Sequence, residues 1–193
     1  ATFVVLLFSK FLGLVLILIT VWVYYFFRDP ERYSINDDNY LVSPADGLVT
    51  DISEKSGPEE LRLENISYTR ISVFMNVFNC HVNRVPTSGK VEEIYYKPGK
   101  FLNASLDKAS EENERNYFKI RLSNGEEIVI VQIAGLIARR IVCEVEQDQD
   151  LKQGERIGMI RFGSRVDIYF KNKKVLAKLG QNVVAGESLL ASN

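Results

Sequence analysis

One histidine, one aspartate in a turn and one serine behind a glycine are the side chains of this sequence best suited to acid–base and nucleophilic chemistry. The histidine, His81, lies in Phe78-Asn79-Cys80-His81-Val82-Asn83-Arg84-Val85-Pro86. Polar Asn79, His81 and Asn83 alternate there with apolar Phe78, Cys80 and Val82, so a strand would put the polar groups on one face. Imidazole is the one side chain whose unperturbed pKa lies near neutrality, which makes His81 the natural general base; a satisfied structural histidine is the plainer reading. Asp46 sits in Ser43-Pro44-Ala45-Asp46-Gly47. It either closes an Asx-type turn or orients His81, as the acid of a triad does. Ser164 follows Gly163 in Phe162-Gly163-Ser164-Arg165. The dipeptide reads first as a turn between two strands, and it lacks the G-x-S-x-G of a nucleophile elbow. Taken as a set, Asp46, His81 and Ser164 are a possible charge relay.

Other chemistries find less support. The chain has two cysteines and one histidine, too few ligands for a Cys/His zinc site. Cys80 and Cys143 read as reduced, buried, small apolar side chains. Asp107-Lys108-Ala109 matches the tripeptide at which lipoyl groups attach, but it lies in an Asn/Glu-rich stretch and not at a tight hairpin. Lys+Arg number 24 and Asp+Glu 25, for a net charge of −1, so no basic field points to nucleic acid.

The elements that must position these residues fall into two textures. Residues 1–27 contain one charged side chain, Lys10, and the run 11–27 reads FLGLVLILITVWVYYFF. As a helix that run covers about 25 Å, short of the roughly 30 Å of a hydrocarbon core. It predicts either one tilted span extended backwards or a helical pair dipping into one leaflet. Trp22, Tyr24 and Tyr25 form an interfacial aromatic belt, and Arg28 and Arg32 favour a cytoplasmic body. The chain opens on Ala1 and not on a methionine, as a sequence starting inside its gene would.

After Pro30, short β-branched segments alternate with Gly, Pro and Asn-Gly. The pattern predicts strands at 48–52, 71–75, 90–96, 118–122, 127–134, 141–144, 157–161, 165–170 and 183–185. Ser123-Asn124-Gly125 is the chemistry of a tight hairpin, and 108–115 reads as a loop or short helix. Near the end, Gly180, Val183, Gly186, Glu187 and Leu189 have the spacing of barrel-sandwich carrier domains. The expected fold is mainly β (α+β): antiparallel, sandwich-like sheets resembling a barrel-sandwich, behind an apolar helical leader.

Taken in order, these stretches resemble the phosphatidylserine decarboxylase proenzymes of the short bacterial type. The likeness is carried by Phe26-Phe27-Arg28-Asp29-Pro30-Glu31-Arg32, Ser43 to Gly47, Phe74-Met75, His81 to Arg84, Gly89-Lys90-Val91 and Tyr96-Lys97-Pro98-Gly99-Lys100-Phe101. It continues through Asn103-Ala104, Asn113-Glu114-Arg115, Gln132-Ile133-Ala134-Gly135, Arg139-Arg140-Ile141 and the run Gly154 to Asp167. Many members carry Leu-Gly-Ser-Thr or Gly-Ser-Ser at the decisive place, where this chain has Phe-Gly-Ser-Arg.

The resemblance implies self-processing between Gly163 and Ser164, with His81 as base and Asp46 behind it. A leader of 1–27 and a catalytic domain of 28–193 would be split into a β chain, 1–163, and an α chain, 164–193, held together as a heterodimer. Ser164 would become a covalent pyruvoyl group that captures the amine of phosphatidylserine and accepts electrons as carbon dioxide leaves, without metal or pyridoxal phosphate. Arg84, Arg139, Arg140 and Arg165 would be available to the lipid phosphate or carboxylate. The place implied is the cytoplasmic face of the cell membrane. Three alternatives stand beside this: an archaetidylserine decarboxylase, a Ser-His-Asp hydrolase, and a non-enzymatic carrier or adaptor with a lipoyl group on Lys108.

Overall fold

A computed structural model describes residues 9–102, 112–136, 140–162 and 164–193. One helix, α1 (Lys10–Phe26), precedes a body of strands. Ser9 caps α1, its hydroxyl accepting the Leu12 N–H at 3.3 Å. The helix has 17 residues, and among the described residues none is long and apolar enough to cross a membrane. Its final turn is docked: Phe26 is fully buried with Cys80, Val82 and Met159, while Phe11, Leu14, Leu18 and Val21 are left in the open.

The strands are β1 (Tyr40–Val42), β2 (Gly47–Ser56), β3 (Ser67–Met75), β4 (Val82–Arg84), β5 (Gly89–Lys97), β6 (Arg115–Arg121) and β7 (Glu127–Ala134). They continue with β8 (Arg140–Cys143), β9 (Asp150–Leu151), β10 (Arg156–Arg161), β11 (Ser164–Phe170), β12 (Lys174–Val175), β13 (Asn182–Val183) and β14 (Leu189–Ser192). They form an 8-stranded sheet in the order β13-β2-β3-β11-β7-β6-β5-β9 and two 3-stranded sheets, β1-β14-β12 and β4-β10-β8. Every ladder between these strands is antiparallel. This is the mainly β architecture of antiparallel sheets expected.

Alternation explains how the large sheet is covered on both faces. In β7, Ile128 and Ile130 enter the main core with Phe118, Val166 and Ile168, while Val129, Val131 and Ile133 pack beneath Leu61 and Leu63. Ile141 of β8, Ile157 and Ile160 of β10, and Leu190 of β14 reach the same main core, so one apolar interior joins all three sheets. Truncating a fully buried residue such as Ile130 to alanine costs about 2–5 kcal/mol.

The hairpin at Ser123-Asn124-Gly125 forms as read, with Gly125 at φ 84° and its N–H on the Leu122 carbonyl at 3.0 Å. Cys80 is buried as expected; Cys143, on the edge strand β8 of its small sheet, is exposed instead. Asp107 and residues 108–111, half of the segment 108–115, lie outside the described residues, and Arg115 already belongs to β6.

Candidate active site

Ser164 is the first residue of β11, the strand that runs between β3 and β7 near the middle of the large sheet. It sits opposite Met75 on one side and Ala134 on the other. The preceding strand, β10, belongs to a different sheet, so the chain changes sheets between Arg161 and Ser164. Gly158 lets β10 lie tightly there: its φ is +146°, and a Cβ would stand 2.0 Å from the Val142 carbonyl oxygen. Ser164 is completely buried. The hydrogen-bond partner of its hydroxyl is the Met75 sulfur, at 3.9 Å. A thioether is a weak acceptor, so this hydroxyl is poorly served for a buried polar group.

Phe162, two residues earlier, has φ +70°. A bulky L-residue pays for the left-handed region, on the order of 1–3 kcal/mol, and persists there only when its surroundings hold it. The holding group is the end of α1. The Phe162 ring stacks on Trp22 at 5.7 Å between centroids, lies 4.5 Å from Phe26 and meets Phe27 edge-on at 6.1 Å. Helix α1 is thus built into the corner that precedes Ser164.

His81 lies just before β4 and also meets the Phe26 ring, at 4.3 Å between centroids. Its carbonyl accepts the Ile160 N–H at 3.4 Å, which ties it to β10. It is fully buried, and its Nδ1 is 3.0 Å from the Asn79 carbonyl oxygen. A carbonyl can only accept, so Nδ1 carries the proton and Nε2 keeps the lone pair. Burial, with a lesser push from the Arg28 charge, lowers the His81 pKa to about 4 against the opposing pull of the Asn79 carbonyl. The imidazole is neutral at pH 7, the form a general base requires.

The other expected residues sort unevenly. Asp46 is not hydrogen-bonded to His81. Its Oδ2 accepts from Arg32 at 2.8 Å and its Oδ1 from the Ala185 N–H at 2.7 Å; the orienting part assigned to it falls instead to the Asn79 carbonyl. Arg84 is spent on structure: it donates to the Gly154 and Pro30 carbonyls and to Asp29, fastening the segment after α1 to the body. Arg165 is buried beside Asp167, with Nη2 to Oδ2 at 3.0 Å, and alternation along β11 turns it to the face opposite Ser164. Neither arginine is placed as an open phosphate ligand. Arg140 is exposed on β8. Gly163 and Arg139 lie outside the described residues.

Comparison with known proteins bears on what this corner is for. The family model described as phosphatidylserine decarboxylase matches residues 19–191. The chain belongs to the phosphatidylserine decarboxylase family. A protein of Pelagibacter ubique named phosphatidylserine decarboxylase proenzyme is 68% identical over 183 residues, covering 95% of this chain and 85% of that one. Proteins of the same name from Ruegeria pomeroyi and Rickettsia typhi are 51% and 50% identical, covering 98% and 95% of this chain and 87% and 80% of theirs.

In this member of the phosphatidylserine decarboxylase family, several residues around Ser164 escape a reading by residue type. A buried polar chain runs from Asn116 through Gln132 to Asn83: Asn116 Nδ2 donates to Gln132 Oε1 at 3.4 Å, and Gln132 Nε2 to Asn83 Oδ1 at 2.8 Å. Asn83 then reaches the Met75 sulfur at 3.6 Å, the same sulfur that faces Ser164. Gln132 is the one polar residue inside the apolar run of β7, a signal the sequence does carry. Phe162 carries no such signal, because nothing in its side chain announces a positive φ.

Proposed function

We propose that this chain is a self-processing decarboxylase that converts phosphatidylserine to phosphatidylethanolamine and carbon dioxide through a pyruvoyl group made from Ser164. The observation that carries the reading is the buried Ser164 hydroxyl with a thioether as its partner, at the head of a strand reached through a strained Phe162. The relatives named as proenzymes support it. They also favour the diacyl lipid over its archaeal counterpart, which has the same headgroup.

In processing, Ser164 Oγ attacks the Gly163 carbonyl carbon. The C–N bond breaks as the C–O bond forms, and the peptide becomes an ester. His81 Nε2 takes the hydroxyl proton and returns it to the departing nitrogen. Loss of the Cα proton of residue 164 then expels Gly163 as a carboxylate, ending one chain at 163. Water replaces ammonia at the new terminus of 164–193. These steps turn the Ser164 β-carbon from hydroxymethyl into methyl, and a methyl suits the Met75 sulfur better than a hydroxyl does. The pyruvoyl carbonyl would hold the substrate amine and receive electrons as carbon dioxide departs. His81 is the proposed proton carrier to the product. A Ser-His-Asp hydrolase is disfavoured by the Asp46–Arg32 pair and by the Asn79 carbonyl at Nδ1.

Three results are expected. Phe162→Gly removes both the backbone cost and the stacked ring. Splitting of newly made chains should slow about 10-fold or more, as loss of 1–3 kcal/mol of stored strain implies. Phe162→Leu keeps the strained backbone and should fall between. Wild-type time courses in the glycine variant would show that the strain is idle. Asp46→Asn should cost about 1–3 kcal/mol of stability through Arg32. It should slow splitting less than His81→Ala does, as thermal melts and gel time courses on the same samples would show. An equal slowing would return Asp46 to the relay.

The third result concerns place. The open face of α1 presents Phe11, Leu14, Leu18 and Val21, at 79%, 55%, 61% and 60% exposure, for insertion into a bilayer on its cytoplasmic side. The variant Phe11→Ser/Leu14→Ser/Leu18→Ser keeps the docked turn at Trp22 and Phe26. It should split normally yet lose about 100-fold or more in vesicle partitioning. Undiminished sedimentation with vesicles would mean that another surface binds the membrane.

A further inference from the structure

We propose that Arg161 and Arg140 form a two-guanidinium clamp for the phosphate of the phospholipid headgroup, in a cavity lined by β5, β6, β8 and β10. The inference rests on the decarboxylase reading and names the part of that site which would hold the phosphodiester. Arg161 and Arg140 are direct partners in the antiparallel β10–β8 ladder. Like charges placed opposite each other repel, a cost that an anion between them would remove. Both side chains are exposed, and neither has an ion pair among the described residues. Arg32, Arg70, Arg84, Arg156 and Arg165 are each matched to a carboxylate. A guanidinium fork is the side chain best shaped for phosphate oxygens.

The two arginines line a cavity of about 700 Å³ with Tyr96, Asn116, Val142 and Cys143. Among the described residues no carboxylate is in the cavity wall: Glu114 is buried and accepts the Ile141 N–H at 3.1 Å. Two links join the cavity to Ser164. Asn116, in its wall, begins the buried chain Asn116, Gln132, Asn83, Met75 that ends at Ser164. Arg161 itself precedes Ser164 by three residues, a backbone reach of at most about 10 Å. The phosphate and amine of the substrate are separated by the short path P–O–Cβ–Cα–N, so a phosphate held at Arg161 leaves the amine within range of position 164. The Arg161 guanidinium also lies 5.8 Å from the Phe27 ring. The clamp is therefore at the end of the helix proposed to lie in the bilayer, where a headgroup would be.

The test uses full-length chains in mixed micelles of phosphatidylserine and neutral detergent, with Arg161→Gln, Arg140→Gln, the double variant and Arg161→Lys. Splitting is read first, and its completion shows that the Ser164 corner is assembled. Each glutamine variant should raise KM about 10-fold or more while kcat changes little, and Arg161→Lys should recover part of the loss. Soluble glycerophosphoserine should compete with the lipid in wild type and about 10-fold more weakly in the double variant, with inorganic phosphate at the same concentration a poor competitor. Unchanged KM in both single variants, or a fall confined to kcat, would overturn the clamp. Equal competition by inorganic phosphate would assign the pair to free phosphate and overturn the headgroup assignment. Failure of the decarboxylase reading would look different: wild type would release no carbon dioxide from the lipid at all.

Discussion

Ser164→Ala is expected to leave one uncleaved chain of 22.0 kDa that releases no carbon dioxide from phosphatidylserine. The loss should be complete, because in the proposed mechanism the hydroxyl is at once the attacking nucleophile and the source of the reacting group. Folding should be spared: among the described residues the hydroxyl has only the Met75 sulfur to lose, and alanine fits the strand between Met75 and Ala134. Ser164→Cys should split slowly, since a thiol can make the same acyl shift. Measured decarboxylation by Ser164→Ala at the wild-type rate would remove the pyruvoyl group from the account.

His81→Ala should slow splitting by about 10²–10⁴, the usual worth of general-base help, with no second histidine to replace it. The pH dependence carries a sign of its own. The base acts only when neutral, and burial lowers its pKa to about 4. Splitting should therefore hold level as pH falls from 7 to about 5 and decline only near 4, where an ordinary imidazole would already fail near 6.5. Arg28 adds to the depression, so Arg28→Gln should move the acid limb upward. A limb centred near 6.5 in wild type would mean that the splitting base is not the buried His81 described here.

The long strands were legible because β-branched runs and Asn-Gly punctuation are local properties. β7 matches its expected limits, and β3, β5 and β10 differ by a few residues at the ends. The strands β1, β4, β9, β12 and β14 were not expected, since two to four residues carry no period and exist only through their partners. The site divides in the same way. The types of Ser164 and His81 advertise their chemistry. The group on His81 Nδ1 is a backbone carbonyl, which every residue has, so no residue type could point to it. Arg84 and Arg165 looked as available as Arg140 because an arginine's carboxylate is set by the fold; Asp29 lies 55 residues from Arg84. Phe162 shows the limit most plainly, since what sets it apart resides in φ and in an aromatic cluster drawn from α1.

Intact mass spectrometry of the purified wild-type protein tests the central claim most directly. The account predicts two fragments, 1–163 and 164–193, the smaller one lighter by one ammonia than a serine-initiated peptide and therefore ending in a pyruvoyl group. A single chain of 22.0 kDa, or a small fragment that begins with an intact serine, would contradict it.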